Sequence, residues 1–94
     1  MKTQLEHQAD QQRYTLSVDG AVVAIADYTV NGNSISFTHT YTKPQYRNRG
    51  LAAELVSFAM DDVERNSTRR VLPMCWFVGD WFDAHPDRAG LLSR

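Results

Sequence analysis

From Arg13 the chain alternates between apolar and polar positions, with Tyr14, Leu16 and Val18 set against Thr15 and Ser17. That is the period of a half-buried strand. Asp19-Gly20 follows; both of its positions accept positive φ, so it marks a two-residue hairpin. The next run, Ala21 to Val30, is rich in β-branched residues and ends at Asn31-Gly32-Asn33, a second turn. From Ser34 to Thr42 the alternation returns. It predicts Ile35, Phe37, His39 and Tyr41 on one face and Ser36, Thr38, Thr40 and Thr42 on the other. These runs predict a three-stranded antiparallel meander that ends at Lys43-Pro44, where proline cannot donate to the ladder.

The period then lengthens. Leu51, Ala52, Leu55, Val56, Ala59, Met60 and Val63 form one apolar stripe at helical spacing, and the pattern fades near Asn66-Ser67. Glu54, Ser57, Asp61, Asp62 and Glu64 fall outside the stripe and read as a solvated face. Arg69 to Cys75, "RRVLPMC", reads as a strand that the helix delivers parallel to the third strand by a right-handed crossover. Phe77 with Trp81, and Val78 with Phe82, stand four apart and predict a second, short helix stopped by His85-Pro86. Trp76, Phe77, Trp81 and Phe82 are expected in the core. The last residues read as a turn that packs Leu91 and Leu92 down. Residues 1–11 carry few apolar side chains and are expected to be a loose lead-in to one domain over 12–94. The predicted class is α+β.

Composition narrows the function more than the fold. The chain has 94 residues and a formal net charge of −1, so no global field draws it to nucleic acid or an anionic membrane. A third reading, a small nucleic-acid binder using Lys43, Arg47 and Arg49, lacks the wider basic stripe it needs. The one cysteine, Cys75, forms no internal disulfide, and no Cys/His set has zinc spacing, so no metal is expected. The polar start "MKTQLEHQAD" has no apolar signal region, and no apolar run nears the roughly 20 residues of a membrane helix. The expected compartment is the cytoplasm.

The chemistry concentrates in "YRNRGLAAELV", Tyr46 to Val56. A helix start has N–H groups without partners and carries partial positive charge, which a phosphate satisfies. Gly50 and Ala52 allow close backbone approach, and Arg47 and Arg49 add charge. The same residues also suit a basic turn and nothing more.

Arg47-x-x-Gly50-x-Ala52 resembles the pyrophosphate loop of the GNAT superfamily of acetyl-CoA-dependent N-acetyltransferases. More narrowly, His39-Thr40, Arg49-Gly50, Leu55-Val56, Pro73-x-Cys75 and His85-Pro86 resemble, in order, the motifs of its small single-domain branch. The resemblance covers about Arg13 to Leu92. The commoner loop has Gly where this chain has Asn48, a residue that tolerates positive φ. A Tyr often follows the His-Pro element, where Arg88 and Ala89 stand here.

The resemblance implies acetyl-CoA as cosubstrate, its pyrophosphate held by the backbone of Arg47, Asn48, Arg49, Gly50, Leu51 and Ala52. It implies that the strands Ser34–Thr42 and Arg69–Cys75 splay, with the pantetheine arm in the gap beside Thr40 and Tyr41. The implied reaction is transfer of acetyl to a primary amine by direct attack. Cys75 and His39 are the catalytic candidates: Cys75 as nucleophile, as acid to the departing thiolate, or as a buried small residue; His39 as general base or as a packed strand residue. An open acceptor side suits a protein or peptide lysine. The rival reading keeps the pocket as a non-catalytic acyl-CoA-binding or interaction module.

Overall fold

The computed structural model describes residues 2–94. Five strands form one sheet in sequence order: β1 (Thr3–Gln8), β2 (Arg13–Val18), β3 (Ala21–Asn31), β4 (Ser34–Thr42) and β5 (Arg70–Pro73). The first four pair antiparallel, and β5 pairs parallel to β4. Helix α1 (Leu51–Asn66) makes the crossover between β4 and β5, and helix α2 (Trp76–Ala84) follows β5. Short 3₁₀ turns cover Ala9–Gln11, Pro44–Tyr46 and Pro86–Leu92. The mixed α/β class, the meander, the long helix and the parallel strand agree with the sequence pattern.

The apolar stripe of α1 supplies the core. Leu51, Leu55, Val56, Ala59, Met60 and Val63 are buried, against Tyr14, Leu16, Ala24, Ala26, Tyr28 and Phe37 from the sheet. Each fully buried Leu, Val or Met contributes about 1.5–3 kcal/mol. Helix α2 packs beside α1 through Val78, Trp81 and Phe82, and the Trp81 indole N–H donates to Ser57 Oγ at 3.0 Å. His85 ends α2, with Nδ1 at 2.7 Å from the Trp81 carbonyl and its ring stacked on the Trp81 indole.

Three expectations need correction. The segment expected to be a loose lead-in over residues 1–11 is largely β1, paired with β2 from Thr3↔Val18 to Gln8↔Arg13. Most of its side chains are exposed, but Leu5 packs against the core and His7 stacks on Tyr14 at 4.1 Å, so a backbone ladder and two inward side chains hold it, too few for periodicity to mark. The strand expected over Arg69–Cys75 is shorter, Arg70–Pro73, and Cys75 becomes the N-cap of α2. The acidic residues of α1 are not simply solvated. Tyr14 donates its hydroxyl to Asp62 at 2.6 Å, and Arg88 bridges Asp61 and Glu64 at 3.0 and 2.6 Å. Arg88 thus ties the last turn to α1.

A fourth difference bears on the site. Tyr28 faces Phe37 across β3 and β4, but Asp27 faces His39, so Thr38 is an extra residue in a bulge. Directly opposed residues share a face, and a bulge of one residue inverts the alternation beyond it. Thr40, opposite Ala26, therefore joins the face of Phe37, while His39 joins that of Asp27. The expected shared face of Ile35, Phe37, His39 and Tyr41 stops at Phe37.

Candidate active site

The ladder between β4 and β5 runs from Ser34↔Arg70 to Phe37↔Pro73 and ends there. One further bond, Cys75 N–H to the Phe37 carbonyl at 2.9 Å, closes the junction. Strand β4 continues to Thr42 without a β5 partner, so the sheet is split along its last residues. Lys43 N–H donates to the Val23 carbonyl, toward β3. Backbone groups alternate sides along a strand, so those of Thr42 and Thr40 face the gap. The Thr42 carbonyl accepts from Arg47 Nε at 3.0 Å on that side.

A cleft of about 610 Å³ opens along this split. Thr40, Tyr41 and Thr42 form one wall; Trp76 and Phe77 from the start of α2 form another. Its end is the turn into α1, with Tyr46, Arg47, Asn48, Gly50, Leu51, Ala52 and Ala53. The turn's shape follows from two left-handed residues, Asn48 at φ 65° and Gly50 at φ 75°. Asn48 does adopt the conformation that the commoner glycine would supply. Gly50 is the N-cap of α1 and offers no side-chain cap. The first-turn N–H groups lack intrahelical partners and point out of the helix end.

The arginines frame this end. Arg47 lies over the Tyr41 ring at 5.8 Å, and Arg49 over the Tyr46 ring at 5.3 Å. Arg49 itself is not part of the cleft wall.

Cys75 sits half-buried at the junction of the split, with Sγ 3.4 Å from Thr40 Oγ1. Burial pushes its thiol up, but hydrogen bonds from the Thr40 hydroxyl and from the backbone of Phe77, Val78 and Thr40 outweigh it. The thiol lies below its ordinary value, as expected at a helix N-terminus. The structure thus gathers Thr40, Tyr41, Arg47, Asn48, Gly50, Leu51 and Ala52 on one cleft; Cys75 is not part of its wall and meets it through Thr40. The structure leaves His39 exposed on the opposite face, outside the cleft wall.

The sequence pattern missed Trp76. Expected in the core, it is 75% exposed at the cleft mouth. A signal existed: Trp76 stands out of phase with the apolar pairs Phe77–Trp81 and Val78–Phe82, and in phase with Asp80 and Asp83. Tyr46, Thr42 and Ala53 also line the cleft; nothing in their types announced it.

Residues 13–91 match the family model described as GCN5-related N-acetyl-transferase. Among solved structures, the ribosomal-protein-S18-alanine N-acetyltransferase of Escherichia coli superposes with a TM-score of 0.59 at 20% identity, over 63% of this chain and 38% of that one. The N-acetylglutamate synthase of Neisseria gonorrhoeae, solved with coenzyme A and N-acetyl-glutamate, gives 0.64 at 15% identity, over 88% and 22%. The ribosomal-protein-alanine N-acetyltransferase of Brucella melitensis biovar Abortus 2308 gives 0.54 at 20%, over 80% and 58%. At these identities the likeness is one of fold. The chain spans less than two thirds of the length of each. No curated protein matches the sequence. Among the described residues, no helix is long and apolar enough to cross a membrane.

Proposed function

The chain belongs to the GCN5-related N-acetyltransferases, and from that premise we propose that it binds acetyl-CoA in the split-sheet cleft and transfers the acetyl group to a primary amine. The observation that carries this is the turn into α1: left-handed Asn48 and Gly50 aim an uncapped helix N-terminus into the cleft. A pyrophosphate there meets first-turn N–H groups and the positive end of the dipole, with Arg47 and Arg49 at the rim. The Neisseria protein's coenzyme A supports the same cosubstrate here.

The pantetheine arm lies along Thr40, Tyr41 and Thr42. The gap-facing N–H and C=O groups of β4 bond its amides, replacing the missing strand partner. Its thioester then lies near Cys75. The neutral amine nitrogen attacks the thioester carbon directly, the C–S bond breaks and the CoA thiolate leaves, while the proton shed by the new amide nitrogen passes through solvent and resets Cys75 after it has protonated the thiolate. Cys75 gives that thiolate its proton, and its lowered pKa makes it a better acid than an ordinary thiol. The exposed position of His39 gives it no direct proton transfer in this scheme.

The same lowered thiol favours one alternative, attack by the Cys75 thiolate to form an S-acetyl enzyme. Mass spectrometry after incubation with acetyl-CoA and no amine separates the two. Direct attack predicts no stable acetyl on Cys75, and a stoichiometric acetyl on Cys75 contradicts it. Catalysis itself is tested by CoA thiol release on adding primary amines. Release above the spontaneous rate is expected; cofactor binding with no turnover on any amine would leave an acyl-CoA-binding module instead.

A further inference from the structure

The charges around the cleft are divided. Arg47 lies at the end formed by the turn into α1, where the phosphates are placed, and Arg49 lies over the Tyr46 ring that lines it. Residues 76–87 carry Asp80, Asp83 and Asp87 and no Lys or Arg. Trp76, Asp80 and Asp83 stand at i, i+4 and i+7, so they share one face of α2, and all three are exposed. Among the described residues, neither Asp80 nor Asp83 forms an ion pair, whereas the nearby Arg88 is spent on Asp61 and Glu64. Trp76 begins this face and also lines the cleft, so the stripe leads away from the acetyl end.

Nothing in the fold calls for a 75%-exposed indole there. The core is filled by Val78, Trp81 and Phe82 from the other side of the helix. An exposed indole followed by two unpaired carboxylates matches a cationic ligand: the ring face attracts a lysine or arginine head, and the carboxylates attract the next ones. The net charge of −1 supplies no general attraction, so selectivity must come from this local stripe. The nine residues of α2 rise about 13 Å, the span of about four residues of extended peptide.

We propose that the Trp76–Asp80–Asp83 face of α2 docks a lysine- or arginine-rich polypeptide segment and so presents the acceptor amine to the cleft. The inference rests on the acetyl-CoA reading of the cleft. It adds the acceptor class: a cationic polypeptide rather than a small neutral or acidic amine. The acceptor enters over Trp76, and basic residues flanking it lie along α2.

The test titrates the full chain with two glycine-based octapeptides, one with lysine and one with glutamate at alternate positions, following tryptophan emission. Trp81 is buried, so changes at the exposed indole report on Trp76. The lysine peptide should bind, more weakly as salt rises, and the glutamate peptide should not. In Asp80→Asn/Asp83→Asn its affinity should fall roughly tenfold, and acetyl-CoA affinity, measured on the same samples, should stay within about twofold. Equal binding of both peptides, or an undiminished affinity in the double variant, overturns the docking face while cofactor binding stands. Lysine-peptide binding without any acetyl-CoA binding overturns instead the reading of the cleft, and with it the acceptor role.

Discussion

Thr40 and Cys75 meet across the split in the sheet, hydroxyl to thiol at 3.4 Å. The contact exists because a bulge at Thr38 turns Thr40 onto the Phe37 face and because Cys75 caps α2. It ties the part of β4 that has no β5 partner to the helix that walls the cleft. It also makes Thr40 the side chain that holds the thiol below its ordinary pKa.

Thr40→Val keeps the β-branched shape and removes the hydroxyl. The Cys75 thiol pKa should rise, because a bond that favours the thiolate is lost while the burial remains. The rate of iodoacetamide alkylation against pH reads this directly, and Thr40→Ser should restore much of the original curve. An unchanged profile in Thr40→Val would mean that the backbone N–H groups alone set the thiol.

Gly50 separates backbone strain from the anion site. An added Cβ meets no atom within 4 Å, so Gly50→Ala suffers only from φ 75°, a cost of about 1–2 kcal/mol in stability. It should retain acetyl-CoA. Gly50→Glu has the same strain and adds a carboxylate where the pyrophosphate is placed, and should lose at least about tenfold in affinity. Thermal melts beside cofactor titrations check both variants.

Asp62 makes the fold sensitive to acid. Burial pushes its carboxyl up, but bonds from Tyr14 and Asn66 and the charges of His7 and Arg65 outweigh it and hold it below the ordinary value. A carboxylate so held adds stability above its unfolded pKa of about 3.9. That stability is lost as pH falls through the lower folded value. The melting temperature of the wild type should therefore drop more steeply below about pH 4 than that of Asp62→Asn. Parallel melting curves would remove Asp62 from the account.

Leu55, 1% exposed, lies in the middle of the α1 stripe. Leu55→Ala should cost about 2–5 kcal/mol, read by urea denaturation. A loss under about 1 kcal/mol would contradict the packing described, since a site that cannot collapse keeps its cavity.

How much was legible depended on which force shaped each part. The meander, α1 and the left-handed turn that leads into it follow from side-chain periodicity and from residues that tolerate positive φ, and these stand in the letters themselves. Strand β1 does not, because backbone pairing holds TQLEHQ with only Leu5 and His7 turned to the core, too few to set a period. The position of His39 was misread for one reason: the bulge at Thr38 shifts the phase of β4, and no residue type there marks it. Trp76 looked like core because aromatic residues usually are, although its phase with Asp80 and Asp83 spoke for the surface. The ties of Asp61, Asp62 and Glu64 to Arg88 and Tyr14 join residues far apart in the chain, which no local pattern reports.

Calorimetric titration with acetyl-CoA asks whether the turn from Arg47 to Ala52 is a pyrophosphate site. A single saturable site is expected in the wild type, weakened in Gly50→Glu and kept in Gly50→Ala. No heat of binding up to roughly millimolar cofactor, from a chain shown to be folded by its melting curve, would contradict it.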